Sequence, residues 1–242
     1  MPHQAEDDCT NDRLGRLSLS QPRQGYRFSI DSVLLAAFAP AAKGPVADLG
    51  AGCGILCLLL AARGLPGPFT AVEMDPAAAR CCRRNFQAAG LMGQVLEHDL
   101  TQDHPALPAR GFNLLISNPP FGQAGQGRLP PDAARARARH ELTLEAHDLW
   151  ARAAGLLPVG GRFLLCLPPR RLPEALSGLL EHRLTPKRLR MVHGRANRPA
   201  SLGLIETVKG GGRHLVAEPP LVVYGQGQAY TPEVAAIYAS LE

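Results

Sequence analysis

The chain has 242 residues, of which 45% are hydrophobic and 19% charged, and its net charge is +5. This composition excludes wholesale disorder, and no apolar run reaches the roughly 18 residues that a membrane helix needs. The N-terminus, MPHQAEDDCTND, lacks the basic and apolar regions of a secretory signal, so we expect a cytoplasmic protein without membrane contact.

Six cysteines are spread along the chain, at positions 9, 53, 57, 81, 82 and 166. None of them belongs to a C-x-x-C pair of the kind that binds zinc or carries redox chemistry. The spacing therefore predicts reduced thiols, no disulfide framework and no bound metal.

Short apolar segments alternate with helical patterns along most of the chain. Residues 1–20 read as a flexible lead, and Ser29 or Asp31 can cap a first helix over 32–38. Strands are predicted over 46–49, 69–75, 94–99, 112–118, 162–168, 188–194, 201–211 and 220–225, and helices over 55–63, 77–89, 142–157, 170–181 and from 231 onward. This alternation predicts one α/β domain over 21–242, with a doubly wound, mostly parallel sheet and helices on both faces.

A glycine-rich loop, DLGAGCG (48–54), follows the first of these strands. Gly50, Gly52 and Gly54 allow a tight turn and bring the backbone close to a ligand at the start of the next helix. Nicotinamide sites use G-x-G-x-x-G, whose third glycine would fall at Ile55, so the spacing disfavours a nicotinamide site. A purely structural glycine turn is a further alternative. The loop resembles motif I of the class I S-adenosylmethionine (AdoMet) methyltransferases. That resemblance implies a seven-stranded Rossmann-like sheet and AdoMet as cofactor.

Carboxylates end two consecutive strands at the edge where such a loop would bind its ligand. Glu73 ends the second strand and Asp99 the third. A surface glutamate is the alternative for Glu73, but a carboxylate that caps an apolar strand at the ligand edge favours a ligand contact. For Asp99, a residue that caps a turn or helix is nearly as good an explanation. The resemblance implies that Glu73 binds the ribose hydroxyls, that Met74 lies against the adenine, and that Asp99 and Leu100 lie near the adenine amino group. It also implies that Asp48 supports the loop or meets the methionine end.

The fourth strand ends in Asn118-Pro119-Pro120-Phe121. This sequence matches the [DNS]-P-P-[FYW] motif of methyltransferases that modify planar amino nitrogens, which are poor nucleophiles because their lone pair is delocalised. The Asn118 side chain and the Pro119 carbonyl can each accept one amine N–H, and the fixed φ of the prolines helps to hold that carbonyl. Phe121 can stack on a base. We expect Asn118 to contact the cofactor as well; a strand-ending turn with a core phenylalanine is the structural alternative.

The segment QGYRFSIDS (24–32) precedes the glycine loop. It resembles the start of the bacterial tRNA1(Val) (adenine-N-6) methyltransferases, and the likeness extends over nearly the whole chain after residue 20, including RARARHE (135–141) and GQAYTPE (227–233). The resemblance implies that 21–45 covers the cofactor pocket, with Phe28 and Asp31 against AdoMet. A packing strap without ligand contact is the alternative.

Two basic clusters indicate an anionic partner. One contains Arg135, Arg137, Arg139 and His140, and the other, in a stretch without acidic residues from 182 to 205, contains Lys187, Arg188, Arg195 and Arg198. A solvated basic face explains either cluster alone, but two clusters near a candidate active site favour RNA. The resemblance implies tRNA as that partner, with the adenine beside the anticodon as the methylated base.

Other acceptors stay open. Many members of the resembled family have Tyr where this chain has Phe121, and Phe there also occurs in guanine-N-2 ribosomal RNA methyltransferases. Release-factor glutamine methyltransferases share N-P-P-Y but usually carry a longer N-terminal domain, and a nicotinamide oxidoreductase is the remote alternative. The sequence leaves the oligomeric state open between monomer and homodimer.

Overall fold

The structure is a computed structural model that describes residues 9–24, 27–119 and 146–242. Its strands are β1 (Cys9–Leu14), β2 (Leu17–Pro22), β3 (Val46–Leu49), β4 (Phe69–Glu73), β5 (Gly93–Glu97), β6 (Leu114–Ser117), β7 (Arg162–Leu167), β8 (Leu184–His193), β9 (Ala200–Lys209), β10 (Val216–Ala217) and β11 (Leu221–Val222). Its helices are α1 (Ile30–Phe38), α2 (Ile55–Ala62), α3 (Pro76–Ala88), α4 (146–156), α5 (Leu172–Glu181) and α6 (Pro232–Ala239). Every strand predicted between residues 46 and 168 is present.

A nine-stranded sheet forms the centre of the molecule, in the order β10-β8-β9-β7-β6-β3-β4-β5, with β11 also paired to β8. Strands β3, β4, β5, β6 and β7 all run parallel to one another, and β9 runs antiparallel to both β7 and β8. The predicted doubly wound, mostly parallel α/β sheet is confirmed. Seven strands match the expected number, and two strands of two residues each extend the sheet beside β8.

The sheet divides the apolar core into two layers. Leu114 and Ile116 of β6 face one layer, which contains side chains of α1, α2 and α3, whereas Leu115 faces the other, which contains those of α4 and α5. Successive side chains of a strand point to opposite faces, so a sheet covered on both sides needs continuously apolar strands. The order of the strands reverses beside β3, and this reversal opens a crevice at their carboxyl ends.

Residues 9–22 form a β-hairpin, which corrects the flexible lead predicted for 1–20 as far as the described residues reach. Strands β1 and β2 pair antiparallel, and β2 packs on α3. Asn85 of α3 holds the hairpin, because its side chain accepts the Ser20 N–H at 2.7 Å and donates to the Ser20 carbonyl at 2.8 Å. The period-2 alternation that buries Leu19 and Gln21 was the available sequence signal.

A disulfide joins Cys9 of β1 to Cys81 of α3, which corrects the prediction of six reduced cysteines. The Cα atoms are 6.5 Å apart, within the usual range for a disulfide. The partners are 72 residues apart in sequence, so only the packing of the hairpin on α3 brings them together. The other four cysteines are buried free thiols.

A buried carboxylate links the three strands β7, β8 and β9. Glu206 of β9 has no exposed surface and forms ion pairs with Arg162 of β7 and, at 2.5 Å, with Arg188 of β8. Arg188 also pairs with Glu218 at 2.6 Å and lies 4.2 Å from the centre of the Phe38 ring. A buried charge is tolerated when it is paired and hydrogen-bonded, so Arg188 is a structural side chain here.

Removing this arginine is expected to destabilise the fold. Arg188→Ala leaves Glu206 buried with one partner fewer, so we expect the free energy of unfolding to fall by about 3 kcal/mol or more, measured by urea denaturation. The matched control is Arg83→Ala, which breaks an exposed pair with Glu97 and should cost less than about 1 kcal/mol. Equal losses for the two variants would contradict this role for Arg188.

Candidate functional site

A cavity of about 510 Å³ lies at the point where the strand order reverses. Its wall is formed by the residues that follow β3, β4, β5 and β6 at the carboxyl edge of the sheet. The N-terminal region contributes Pro22, Gln24, Phe28 and Ser32 to the wall, and α4 contributes Asp148 and Leu149. The volume is typical of a small-molecule site, and its position is where doubly wound sheets bind ligands.

The glycine loop divides its tasks between ligand access and packing. Gly50 and Gly52 line the cavity, have φ of 76° and 56°, and have no atom within 4 Å of the position that a Cβ would take. Gly54 does not line the cavity; it is the N-cap of α2, and a Cβ there would lie 2.5 Å from the Cys82 sulfur. The loop thus offers open backbone to a ligand at its first two glycines and a close helix contact at its third.

Glu73 connects the glycine loop to the end of β4. Its Oε2 accepts the Gly52 N–H and its Oε1 accepts the Asp75 N–H, each at 2.7 Å. Asp75 in turn caps α3 by accepting the Ala78 N–H at 2.7 Å. Glu73 and the exposed Met74 both line the cavity, so an oriented carboxylate and an apolar side chain stand side by side there.

Asp48 lies beneath the glycine loop and outside the cavity wall. Its carboxyl group is fully buried in β3, and neither oxygen has a hydrogen-bond partner among the described residues. Burial, with a further contribution from the charge of Glu73, raises the pKa of this carboxyl well above its usual value. The Val72 carbonyl accepts the N–H groups of Gly50 and Ala51, so the backbone of β4 rather than Asp48 holds this part of the loop.

The end of β5 supplies another wall of the cavity. His98, Asp99, Leu100 and Thr101 all line it. The Asp99 carboxylate accepts the Thr101 N–H at 2.9 Å and the Thr101 hydroxyl at 2.8 Å, and these two bonds lower the pKa of Asp99. The turn is therefore ordered by its own side chains, and both bonds use the same Asp99 oxygen, Oδ1.

Asn118 and Pro119 line the cavity directly after β6. The Asn118 carboxamide donates from Nδ2 to the Ser32 hydroxyl at 3.1 Å and accepts from the Cys166 thiol at Oδ1 at 3.0 Å. Both partners were missed by the sequence analysis, because they are 86 and 48 residues away and carry no motif. Pro120 and Phe121 lie outside the described residues.

The two residues predicted at the cofactor from the N-terminal segment have different positions. Phe28 lines the cavity, and its N–H donates to the Gln21 side chain at 2.9 Å. Asp31 does not line it; it lies in the first turn of α1, where Ser29 is the N-cap. Burial raises the pKa of the Asp31 carboxyl.

The basic residues of the second cluster also separate. Lys187 donates to the Gly212 carbonyl at 2.6 Å and, like Arg188, lies within β8. Arg195 and Arg198 lie in the turn between β8 and β9. Because β8 and β6 run in the same direction, this turn lies at the same edge of the sheet as Asn118. The cluster Arg135, Arg137, Arg139 and His140 lies outside the described residues.

No group of three or more His, Cys, Asp or Glu side chains in residues 9–24, 27–119 and 146–242 is arranged to hold a metal ion. Among these same residues, no helix has the length and apolarity that a bilayer crossing requires.

Solved structures similar to this chain include methyltransferases. A predicted O-methyltransferase from Agrobacterium tumefaciens superposes with a TM-score of 0.69 and 24% identity, covering 87% of this chain and 96% of that one. The 16S rRNA N2 G1207 methyltransferase of Thermus thermophilus, solved with AdoMet and guanosine, has a TM-score of 0.53 and 22% identity, covering 83% and 50% of the two chains. These likenesses show the class I methyltransferase fold.

Similarity in sequence identifies the family of this chain, and not only its fold. The family model for the methyltransferase small domain matches residues 29–166. The tRNA1(Val) (adenine(37)-N6)-methyltransferase of Aeromonas salmonicida is 32% identical over 212 residues, which cover 86% of this chain and 87% of the relative. The enzyme of that name from Porphyromonas gingivalis is 34% identical over 186 residues, covering 72% and 71%. The chain therefore belongs to the methyltransferase small domain family, among the tRNA1(Val) (adenine(37)-N6)-methyltransferases.

Proposed function

We propose that this protein transfers a methyl group from AdoMet to the exocyclic amino nitrogen of adenine in tRNA, at adenine 37 of tRNA1(Val). The observation that carries the proposal is that Asn118 and Pro119 line the same cavity as Gly50, Gly52 and Glu73. An amine-binding motif and a cofactor-binding loop thus meet in one site. The relatives are named for this reaction, and a tRNA substrate is consistent with a cytoplasmic enzyme.

The residues of the cavity fit AdoMet. Glu73 offers carboxylate oxygens for the two ribose hydroxyls, and Met74 and Leu100 offer apolar contacts for the adenine ring, beside Asp99. The open backbone at Gly50 and Gly52 leaves room for the methionine end. In this proposal the segment 21–45 covers the bound cofactor through Phe28, which already stands in the wall.

Bound AdoMet supplies an electrophilic methyl carbon on a positively charged sulfur. The protein's own task is to present the amine to that carbon. The Asn118 Oδ1 and the Pro119 carbonyl each accept one N–H, which orients the amine and favours localisation of its lone pair. The amine becomes acidic once it is methylated, so no strong base is required, and the rate comes mostly from alignment of the reactants.

The position of Arg195 and Arg198 supports RNA binding at the same edge of the sheet. Phosphate groups of a bound RNA would release counterions when they contact such side chains, so the affinity depends on salt. Arg195 is held toward this edge by bonds to the carbonyls of Gly225 and Gly227, at 3.0 and 2.6 Å. The cluster Arg135 to His140 remains a predicted second contact.

Removing both arginines is expected to weaken tRNA binding and reduce its salt dependence. For Arg195→Ala/Arg198→Ala, the slope of log K against log salt should fall by roughly one unit per lost phosphate contact. The matched control is Arg13→Ala/Arg16→Ala. Arg16 donates to the carbonyl of Ala62, which is the last residue of α2. Because α2 runs back from the glycine loop, this end of the helix lies at the opposite edge of the sheet from Asn118. An unchanged slope for the first pair would remove it from the interface.

The acceptor is tested by offering alternatives side by side. Purified enzyme with labelled AdoMet is incubated with a tRNA1(Val) transcript, its A37→G variant, ribosomal RNA and a release factor. We expect label in the first alone, as N6-methyladenosine by nucleoside mass spectrometry. Label recovered as N2-methylguanosine would show that guanine is the acceptor. Label in the release factor would show that glutamine is the acceptor. The match to adenine enzymes over most of their length favours adenine.

A further inference from the structure

The Asn118 carboxamide is held at both of its ends. Its Nδ2 donates to the Ser32 hydroxyl at 3.1 Å, and its Oδ1 accepts from the Cys166 thiol at 3.0 Å. The two ends of an amide have nearly the same shape, so hydrogen-bond partners decide which end points where. An asparagine that must accept an amine N–H works in one of these orientations and fails in the other.

The register of the sheet brings these side chains together. Leu114, Ile116 and Asn118 alternate onto the same face of β6 and its extension, which is the face that α1 covers. Cys166 lies on that face of the neighbouring strand β7, and Ser32 projects from α1, which packs on β7. Ser32 and Cys166 are each only 1% exposed, so bulk water has little access to these bonds.

The chemistry of Cys166 favours one orientation of the amide. Burial raises the pKa of the Cys166 thiol well above its usual value, so the sulfur keeps its proton and donates it. A carbonyl oxygen has two lone pairs, so Oδ1 can accept an amine N–H as well as the thiol proton. In the opposite orientation Nδ2 would face sulfur, a weak acceptor, and would turn its own donors toward the donors of the amine.

We propose that Ser32 and Cys166 are positioning residues that hold the Asn118 carbonyl oxygen toward the amine to be methylated. This inference rests on the proposed N-methyltransferase function and extends it to two residues outside the N-P-P-F motif. Neither residue acts on the methyl group; each acts through Asn118.

The activity of two variants at position 166 tests the role of the thiol, because one variant lacks a hydrogen-bond donor and the other keeps one. Cys166→Val keeps the site apolar and removes the donor while adding one methyl group, and we expect kcat to fall about 10-fold with the KM for AdoMet unchanged, which corresponds to one lost hydrogen bond. Cys166→Ser restores a donor and should recover most of the loss. Ser32→Ala should behave like Cys166→Val. The control is Cys57→Val, another fully buried thiol, which does not line the cavity.

A double-mutant cycle separates positioning from general packing. In the Asn118→Ala background, Cys166→Val should cause no further loss of single-turnover rate, because the group that it positions is gone. A loss of the same size in both backgrounds would assign Cys166 to packing and overturn the proposal. Thermal unfolding of each variant checks that all are folded.

A second readout does not depend on the substrate. In protein labelled with ¹⁵N-asparagine, the side-chain NH2 resonance of Asn118 is identified by its loss in Asn118→Ala. We expect Cys166→Val and Ser32→Ala to shift it, and Cys57→Val to leave it in place. An unshifted resonance overturns the positioning role whatever the activity. If the methylated group is guanine or glutamine, the proposed adenine substrate is wrong. The positioning role of Ser32 and Cys166 is then tested by the same comparison of kcat values with that acceptor as substrate.

Discussion

Asn118→Ala is expected to lower kcat by about 100- to 1,000-fold, the range found when one preorganised hydrogen-bonding group is removed from an active site. Asn118 lines the cavity beside Pro119, and in the proposed mechanism its Oδ1 accepts one amine N–H. The glycine loop and Glu73 are untouched by this change. The Kd for AdoMet should therefore stay near the wild-type value.

The measurement is single-turnover methylation of tRNA together with calorimetric titration of AdoMet. Asn113→Ala is the matched control, because it removes the same kind of side chain from the other end of β6, where Asn113 donates to the Lys43 carbonyl at 2.8 Å. Asn118→Ala with normal turnover, or with a loss no larger than that of the control, would refute the amine-acceptor role.

Glu73→Ala is expected to raise the Kd for AdoMet by about 100-fold or more, since the two hydrogen bonds proposed from the ribose hydroxyls to this charged carboxylate would be lost at about 1.5–3 kcal/mol each. The same carboxylate accepts the N–H groups of Gly52 and Asp75, so the loop and the start of α3 lose their common partner as well. At saturating AdoMet, kcat should change much less than the Kd, because Glu73 is not one of the two acceptors proposed for the amine.

Titration of AdoMet and of its demethylated product measures this effect. Glu73→Gln keeps the shape and one acceptor, so its Kd should lie between those of wild type and Glu73→Ala. Glu97→Ala, at the end of the neighbouring strand and paired with Arg83 at the surface, is the control and should bind AdoMet normally. Equal weakening by Glu97→Ala would mean that charge near the edge, rather than the contact at Glu73, determines affinity.

Structural features that depend on a few consecutive residues were predictable from the sequence. The buried strands appear as apolar runs, and the glycine loop and N-P-P-F contain the residue types that their backbone or chemistry requires within a few positions. The hairpin over 9–22 was missed because its alternation is short and its residues are mostly polar, so its pairing depends on α3.

Charge clusters were the least reliable signal. Lys187, Arg188, Arg195 and Arg198 are close in sequence and basic, yet Arg188 is bound to Glu206 within the sheet while Arg195 and Arg198 lie at its carboxyl edge. A count of charges cannot separate these roles, because the partner of Arg188 on β9 becomes its neighbour only through antiparallel pairing.

The sequence by itself determined the α/β class, the family and the residues that approach the cavity from the ends of β3, β4, β5 and β6. These follow from periodicity and local motifs, which depend on neighbours along the chain. Only the tertiary structure decided that Cys9 meets Cys81, that Gly54 packs on Cys82, and that Ser32 and Cys166 hold Asn118. Those contacts join residues far apart in sequence, and strand register and helix packing alone bring them within bonding distance.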